Sequence, residues 1–189
     1  MFFRGGLFRK PQIEPLPVAM TGVRMGERLL QIGIDDPVTV GALAKKVGLS
    51  GINALAALSD GEARRAKAAA DAAGVLIDVQ VTRLNTLPFE AGSFDIVVVH
   101  GARGMLAAIA PEHRVWCLRE SRRMLRRGGR IVVIETAARG GLGGLLRGHK
   151  VDEHYMRTGG AEGALKAEGF NPVRVLGEIE GYKFTEGLA

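Results

Sequence analysis

The stretch Arg28–Ala44, RLLQIGIDDPVTVGALA, decides the fold. An apolar run of Leu29, Leu30 and Ile32 reaches Gly33, breaks at Asp35-Asp36-Pro37 and gives way to small and apolar residues. The pattern predicts a buried strand over Leu29–Gly33, a tight turn, and a helix over Val38–Val47 closed by Gly48. Asp36 is placed to cap that helix. Pro37 suits its first position, where a missing N–H leaves nothing unpaired. A helix whose N-terminus faces the end of a buried strand is how open α/β sheets build a crevice for nucleotide ligands.

Outward from this unit the pattern repeats. Ile52–Leu58 has the length of a strand, and Ser59 caps an alanine-rich helix over Gly61–Ala73 that ends at Gly74. Val75–Val81 predicts a third strand. After the loop LNTLPFEAGS comes Phe94–His100, whose successive β-branched residues suit a central parallel strand covered on both faces. Ala110–Arg126 predicts a helix, Arg127-Gly128-Gly129 a turn, and Ile131–Glu135 a fifth strand. Ala161–Glu168 predicts a short helix, and PVRVLGEIEGYKFTEG an antiparallel pair around Gly177–Gly181. Strands alternating with helices at this spacing imply βαβ units. The expected architecture is α/β: a doubly wound, mostly parallel seven-stranded sheet with a C-terminal antiparallel hairpin, in a single domain over residues 27–189.

Residues 1–26 read as a basic and apolar arm. Phe2, Phe3, Leu7 and Phe8 alternate with Arg4, Arg9 and Lys10, and Pro11, Pro15 and Pro17 argue against regular helix there. Such an arm suits peripheral contact with a membrane surface, or folding back over the domain or onto a second subunit. The glycine-rich run at 138–148 reads as a loop.

Net charge is +6 and aromatic content 5%, a balance that disfavours stacking platforms for single-stranded nucleic acid. The basic run Arg119–Arg130 reads either as a patch for nucleic acid or anionic lipid, or as a solvated helix face. No apolar stretch approaches the ~20 residues of a membrane span, and MFFRGGLFRKP is broken before a signal sequence can form. With a lone Cys117, these features make a cytoplasmic protein the expectation.

His100 ends the fourth strand at the sheet's carboxyl edge, where ligands bind in such folds, and is the candidate catalytic base or positioner. The alternative is a hydrogen-bonded structural histidine. His149, Asp152, Glu153, His154 and Tyr155 miss helical metal-ligand spacing and read as a solvated loop, so no metal site is expected. Signatures of a P-loop, a zinc protease or a nucleophile elbow are missing.

LNTLPFEAGSFDIVVVH and LRESRRMLRRGGRIVVIE, in this order and spacing, resemble the class I S-adenosylmethionine-dependent methyltransferases, and within them the small-molecule enzymes of methyltransferase type 11. The resemblance covers about residues 27–189. It implies S-adenosylmethionine as cofactor and a small-molecule acceptor. The implied cofactor-binding positions are Gly33, Ile34, Asp35, Ser59, Asp60, Arg83, Leu84 and His100. Several depart from the family pattern. Gln31 stands at the acidic position before the glycine turn, and Asp35 and Pro37 stand at its second and third glycines. Ala57 stands where an acid meets the ribose hydroxyls, with Asp60 and Glu62 nearby either as substitutes or simply as the first turn of the helix, and Arg83 where an acid meets the adenine amino group. Arg83 is expected either to stack on the base or to pair with Asp35 or Asp36 across the crevice. The chain therefore reads as a methyltransferase or, with a degenerate cofactor motif, as a non-catalytic relative. The latter would serve as a binding or scaffolding module, paired with itself or with a methyltransferase homologue.

Overall fold

The computed structural model describes residues 14–102, 104–137 and 152–189. The chain runs α1 (Leu16–Thr21), β1 (Arg28–Ile32), α2 (Pro37–Val47), β2 (Ile52–Ala57), α3 (Asp60–Ala73), β3 (Asp78–Val81) and β4 (Phe94–Gly101). It continues α4 (Met105–Ala108), α5 (Pro111–Met124), β5 (Leu125–Thr136), α6 (Glu153–Arg157), α7 (Ala161–Ala167), β6 (Val173–Ile179) and β7 (Tyr182–Leu188). The seven strands form one sheet in the order β3-β2-β1-β4-β5-β7-β6. The pairs from β3 to β5 are parallel, and β7 runs antiparallel to both its neighbours.

Alternation along each strand distributes side chains to two faces. Leu29, Ile96, Val98, Val132 and Ile134 join Leu43 and Val47 of α2, Val18 of α1 and Phe184 in one apolar layer. Leu30, Ile32, Val97, Val99, Ile131 and Val133 face the other way, against Cys117 and Leu118 of α5, Tyr155 of α6 and Leu165 of α7. α2 and α3 pack so closely that a methyl group on Gly41 would lie 2.9 Å from the Ala69 carbonyl oxygen and from Ala73 Cβ. At this contact the close approach requires the small residues Gly41, Ala69 and Ala73.

Several expectations need correction. A short helix, α1, forms despite the prolines, because Pro17 sits in its first turn, where an amide has no partner to lose. Val18 and Val23 of this segment are buried in the core. The third strand is limited to Asp78–Val81, with Val75–Ile77 irregular. Arg127–Gly129 is not a separate turn but part of a register shift inside β5, whose pairing with β4 passes from Phe94–Leu125 to Ile96–Arg130. Residues 153–157 are helical rather than a loop, because the Asp152 carboxylate caps them by accepting the His154 and Tyr155 amides. Residues 1–13, His149 and the glycine-rich run at 138–148 lie outside the described residues.

Four of the six arginines from Arg119 to Arg130 have a carboxylate partner, and Arg122 and Arg127 have none among the described residues. Arg119 pairs with Glu168, Arg123 with Glu120, Arg126 with Asp95 and Arg130 with Glu27. Exposed pairs of this kind add ~0–1 kcal/mol each to stability. Their consequence here is to weaken the single-sign field that a phosphate backbone or anionic lipid would need. No helix among the described residues is long and apolar enough to cross a membrane.

Candidate cofactor crevice

β1 lies between β2 and β4, so the loops after β1 and β4 diverge at its carboxyl end and leave a crevice. Gly33 makes the first turn with φ of +72°, a left-handed conformation that glycine adopts without steric cost. Its amide still extends the ladder, donating to the Ala56 carbonyl at 2.9 Å. Asp36 then caps α2 as its position predicted, accepting from the amides of Val38 at 3.1 Å and Thr39 at 3.0 Å and from the Thr39 hydroxyl at 2.8 Å. Burial works to raise its pKa, but these hydrogen bonds outweigh it and hold the carboxyl below the usual aspartate value.

The crevice has a volume of about 280 Å³. Gly33, Ile34, Asp35 and His100 line it, four of the expected positions brought together. Glu62 and Arg65 of α3 and Met105, Ala108 and Ile109 around α4 complete its walls. The Asp35 carboxylate crosses the opening to accept the Ala102 amide at 2.6 Å, tying the loop after β1 to the loop after β4. Arg65 donates to the backbone carbonyls of Asp35 at 2.9 Å and Ile34 at 3.4 Å. Its cation thus stabilises the turn rather than standing free in the cavity.

His100 is 2% exposed, and its Nε2 lies 2.8 Å from Oε1 of the fully buried Gln31. Gln31 in turn donates through Nε2 to the Val40 carbonyl at 3.3 Å, which leaves its oxygen as the acceptor and makes His100 Nε2 the donor. Desolvation pushes the His100 pKa down to about 4, only partly opposed by the Asp36 charge. The imidazole is therefore neutral at pH 7, and a weak base.

Ser59 caps α3 by accepting the Glu62 amide at 3.2 Å, and Glu62 reaches back to accept the Leu58 amide at 2.8 Å. This reciprocal capping carries the Glu62 carboxylate to the tip of β2, beside Ala57. Ser59 and Asp60 themselves line neither this crevice nor its neighbour. Arg83 and Leu84 line a second pocket, with Leu58, His113 and Trp116. The expected Arg83 pair with Asp35 or Asp36 is not formed: its side chain has no hydrogen-bond or ion-pair partner among the described residues. Asp36 is occupied in capping α2, and Asp35 in bridging to Ala102.

α4 is held from behind by Arg114, which is 7% exposed. Its guanidinium donates to the carbonyls of Leu106 at 2.7 Å and Ile109 at 3.3 Å, pairs with Asp152 at 3.0 Å and lies 4.1 Å above the Tyr155 ring. Tyr155 donates in turn to Glu135 at the end of β5. Burial, followed by the neighbouring Glu135 charge, raises the Tyr155 pKa well above the normal phenol range. Glu62 is legible in the sequence, close enough to Ala57 to substitute for the missing acid and at the Ser59-x-x-Glu62 spacing of a capping box, whereas Arg114 is not singled out. Arg114 carries no local signal.

A seven-stranded sheet of this order, with a crevice between the ends of β1 and β4, defines the class I S-adenosylmethionine-dependent methyltransferase fold. A family model described as a methyltransferase domain matches residues 40–133. The chain is 32% identical over 135 residues to an uncharacterized protein of Mycobacterium tuberculosis, covering 71% of this chain and 46% of that protein. It thus spans about half the length of the curated relatives it matches. A solved S-adenosylmethionine-dependent methyltransferase from Aquifex aeolicus superimposes with a TM-score of 0.69 at 15% identity, covering 91% of this chain and 87% of that one. A chain from the complex of the Haloferax volcanii Trm112 methyltransferase activator gives 0.65 at 16% identity, covering 91% and 86%. The chain belongs to the methyltransferase type 11 family.

Proposed function

We propose that the protein is an S-adenosylmethionine-dependent methyltransferase acting on a small-molecule acceptor. On this reading residues 27–189 carry the activity, with α1 packed into their core. The observation that supports it most is the Glu62 carboxylate at the tip of β2. There it can accept the ribose hydroxyls in place of the side chain missing at Ala57. Gly33, Ile34 and Met105 would bound the methionine end. The carboxylates of Asp35 and Glu62 favour a sulfonium and an ammonium group. His100, neutral and held by Gln31, acts as a positioner rather than a base. The bound cofactor supplies a sulfonium methyl group for in-line displacement, chemistry that asks the protein chiefly for alignment. The base end would extend toward Leu58.

A second reading rests on the Asp35–Ala102 hydrogen bond, which spans the opening a cofactor must use. If that tie persists, the fold is a catalytically silent binding module. Calorimetric titration with S-adenosylmethionine and S-adenosylhomocysteine separates the two readings. The first expects micromolar binding that weakens about tenfold in Glu62→Gln, the loss expected when a charged acceptor becomes neutral. No binding at millimolar ligand, restored by Ala57→Asp with Arg83→Asp, would establish the second.

A further inference from the structure

The parallel strands β1 to β5 bring their amino ends to one edge of the sheet, opposite the Gly33 crevice. Three large apolar side chains stand in the loops that enter β2, β3 and β1 there: Leu49, 99% exposed, Leu76, 86%, and Met25, 80%. They are the three most exposed of their kind among the described residues, and Ile52, 53% exposed, joins them at the start of β2. All four are neighbours. The Gly26 amide donates to the Val47 carbonyl at 2.9 Å, and a methyl group on Gly48 would lie 3.8 Å from Met25 Cγ, which sets Met25 beside Leu49. Ile52 and Leu76 each stand two residues before the paired Ala54 and Asp78, level with one another on adjacent strands. Arg24 and Lys45 are exposed at the same edge, while Asp71 and Asp78 stand on either side of Leu76, so the described charge is mixed. A positive surplus lies just before it in the chain. Residues 1–13 hold Arg4, Arg9 and Lys10 with Phe2, Phe3, Leu7 and Phe8, and no acid. They join the described structure at Glu14, whose carboxylate meets Lys46 in the last turn of α2 at 2.7 Å.

We propose that this edge docks on the surface of an anionic lipid bilayer. Met25, Leu49 and Leu76 enter the boundary of the acyl chains, and Arg24, Lys45 and the cations of residues 1–13 meet the headgroup phosphates. A side chain this exposed touches almost nothing of its own protein, and several together mark a surface for contact. Protruding tips suit a deformable medium, whereas a rigid protein partner would need a pocket shaped to each of them. Apolar residues beside cations are the combination that interfacial binding uses: apolar burial holds the protein and charge draws it in. The crevice, at the opposite edge, then opens away from the bilayer, and docking does not depend on whether it holds a cofactor.

The probe is a vesicle of phosphatidylcholine with about 30% phosphatidylglycerol, set against phosphatidylcholine alone, with binding of the full chain read by flotation. The expected result is saturable binding to the anionic vesicle, weaker on the neutral one and weakened by salt. Leu49→Ser combined with Leu76→Ser should lower the partition coefficient about tenfold or more, the scale set by burial of aliphatic side chains. Ile179→Ser, at an exposed apolar residue of β6 level with the carboxyl end of β5, should leave it unchanged. These side chains lie outside the core, so circular dichroism should certify an unchanged fold for each variant. Location is read separately. The single cysteine of the chain, Cys117, is buried, so a polarity-sensitive fluorophore can be placed at Leu49→Cys or at Ile179→Cys alone. Anionic vesicles should shift its emission to the blue at the first site and not at the second. No binding at millimolar lipid, equal binding to neutral vesicles, a partition that survives the double substitution, or an unshifted label at Leu49→Cys would each overturn the proposal. So would a dimer, seen by sedimentation velocity without lipid, that the double substitution dissociates, since a second copy would then be the occupant.

Discussion

Replacing His100 by glutamine should change how the protein's stability depends on pH, and the size of the change follows from burial. The unfolded imidazole titrates at 6.5, whereas in the fold desolvation lowers it to about 4. A group whose folded pKa is depressed in this way binds fewer protons in the native state. Its contribution is fully present above pH 6.5 and is lost as pH falls toward 4. At pH 7 the linkage is nearly silent. At pH 5 the unfolded chain has taken up the proton and the native chain has not, which favours unfolding by about 2 kcal/mol. His100→Gln keeps a polar group beside Gln31 but removes the titration. Urea unfolding at pH 7, 6 and 5, followed by circular dichroism, should show the wild-type advantage over the variant shrinking by about 2 kcal/mol across that range. Carboxylates shared by both proteins cancel in the difference. A gap that stays constant from pH 7 to pH 5 would refute the reasoning, since it would mean that the native imidazole protonates as freely as the unfolded one.

Two further perturbations probe packing. Gly41→Ala adds a methyl group where α2 and α3 leave 2.9 Å to backbone and side chain. It should cost about 1–3 kcal/mol in thermal or urea unfolding, although alanine is the better helix former. Cys117 is buried, and desolvation raises its pKa to about 12. It should remain unreactive toward a thiol reagent in native buffer at pH 8 and react rapidly in denaturant.

What could be read in the sequence divides along a physical line. The caps at Asp36 and Ser59 act on backbone amides within three residues, so their signal is local and complete. The same holds for the alternation that sends Leu29 and Leu30 to opposite faces. The crevice is different. Asp35 meets Ala102, and His100 meets Gln31, across 67 and 69 residues of chain. Such pairs exist because β1 and β4 are neighbours, and strand order is not written in any one segment. Arg83 shows the converse error. Complementary charge suggested an ion pair with Asp35 or Asp36, but both acids already have backbone amides to satisfy. The helix over 153–157 was missed because its cap precedes only one and a half turns, too few to show a period.

The position of β7 bears on how the molecule is made. β7 follows the other six strands in the chain, yet it lies inside the sheet, between β5 and β6. Until residues 182–188 emerge, β5 has β4 on one side and an open edge on the other. β6 emerges earlier but bonds only to β7, so it cannot cover that edge in the interim. Ile131, Val132, Val133 and Ile134 make the exposed edge strongly apolar, the kind that pairs readily with a neighbouring chain. The nascent protein thus passes through a state in which five of the seven strands are paired and its stickiest strand is uncovered. Insertion of β7 both completes the fold and ends that hazard.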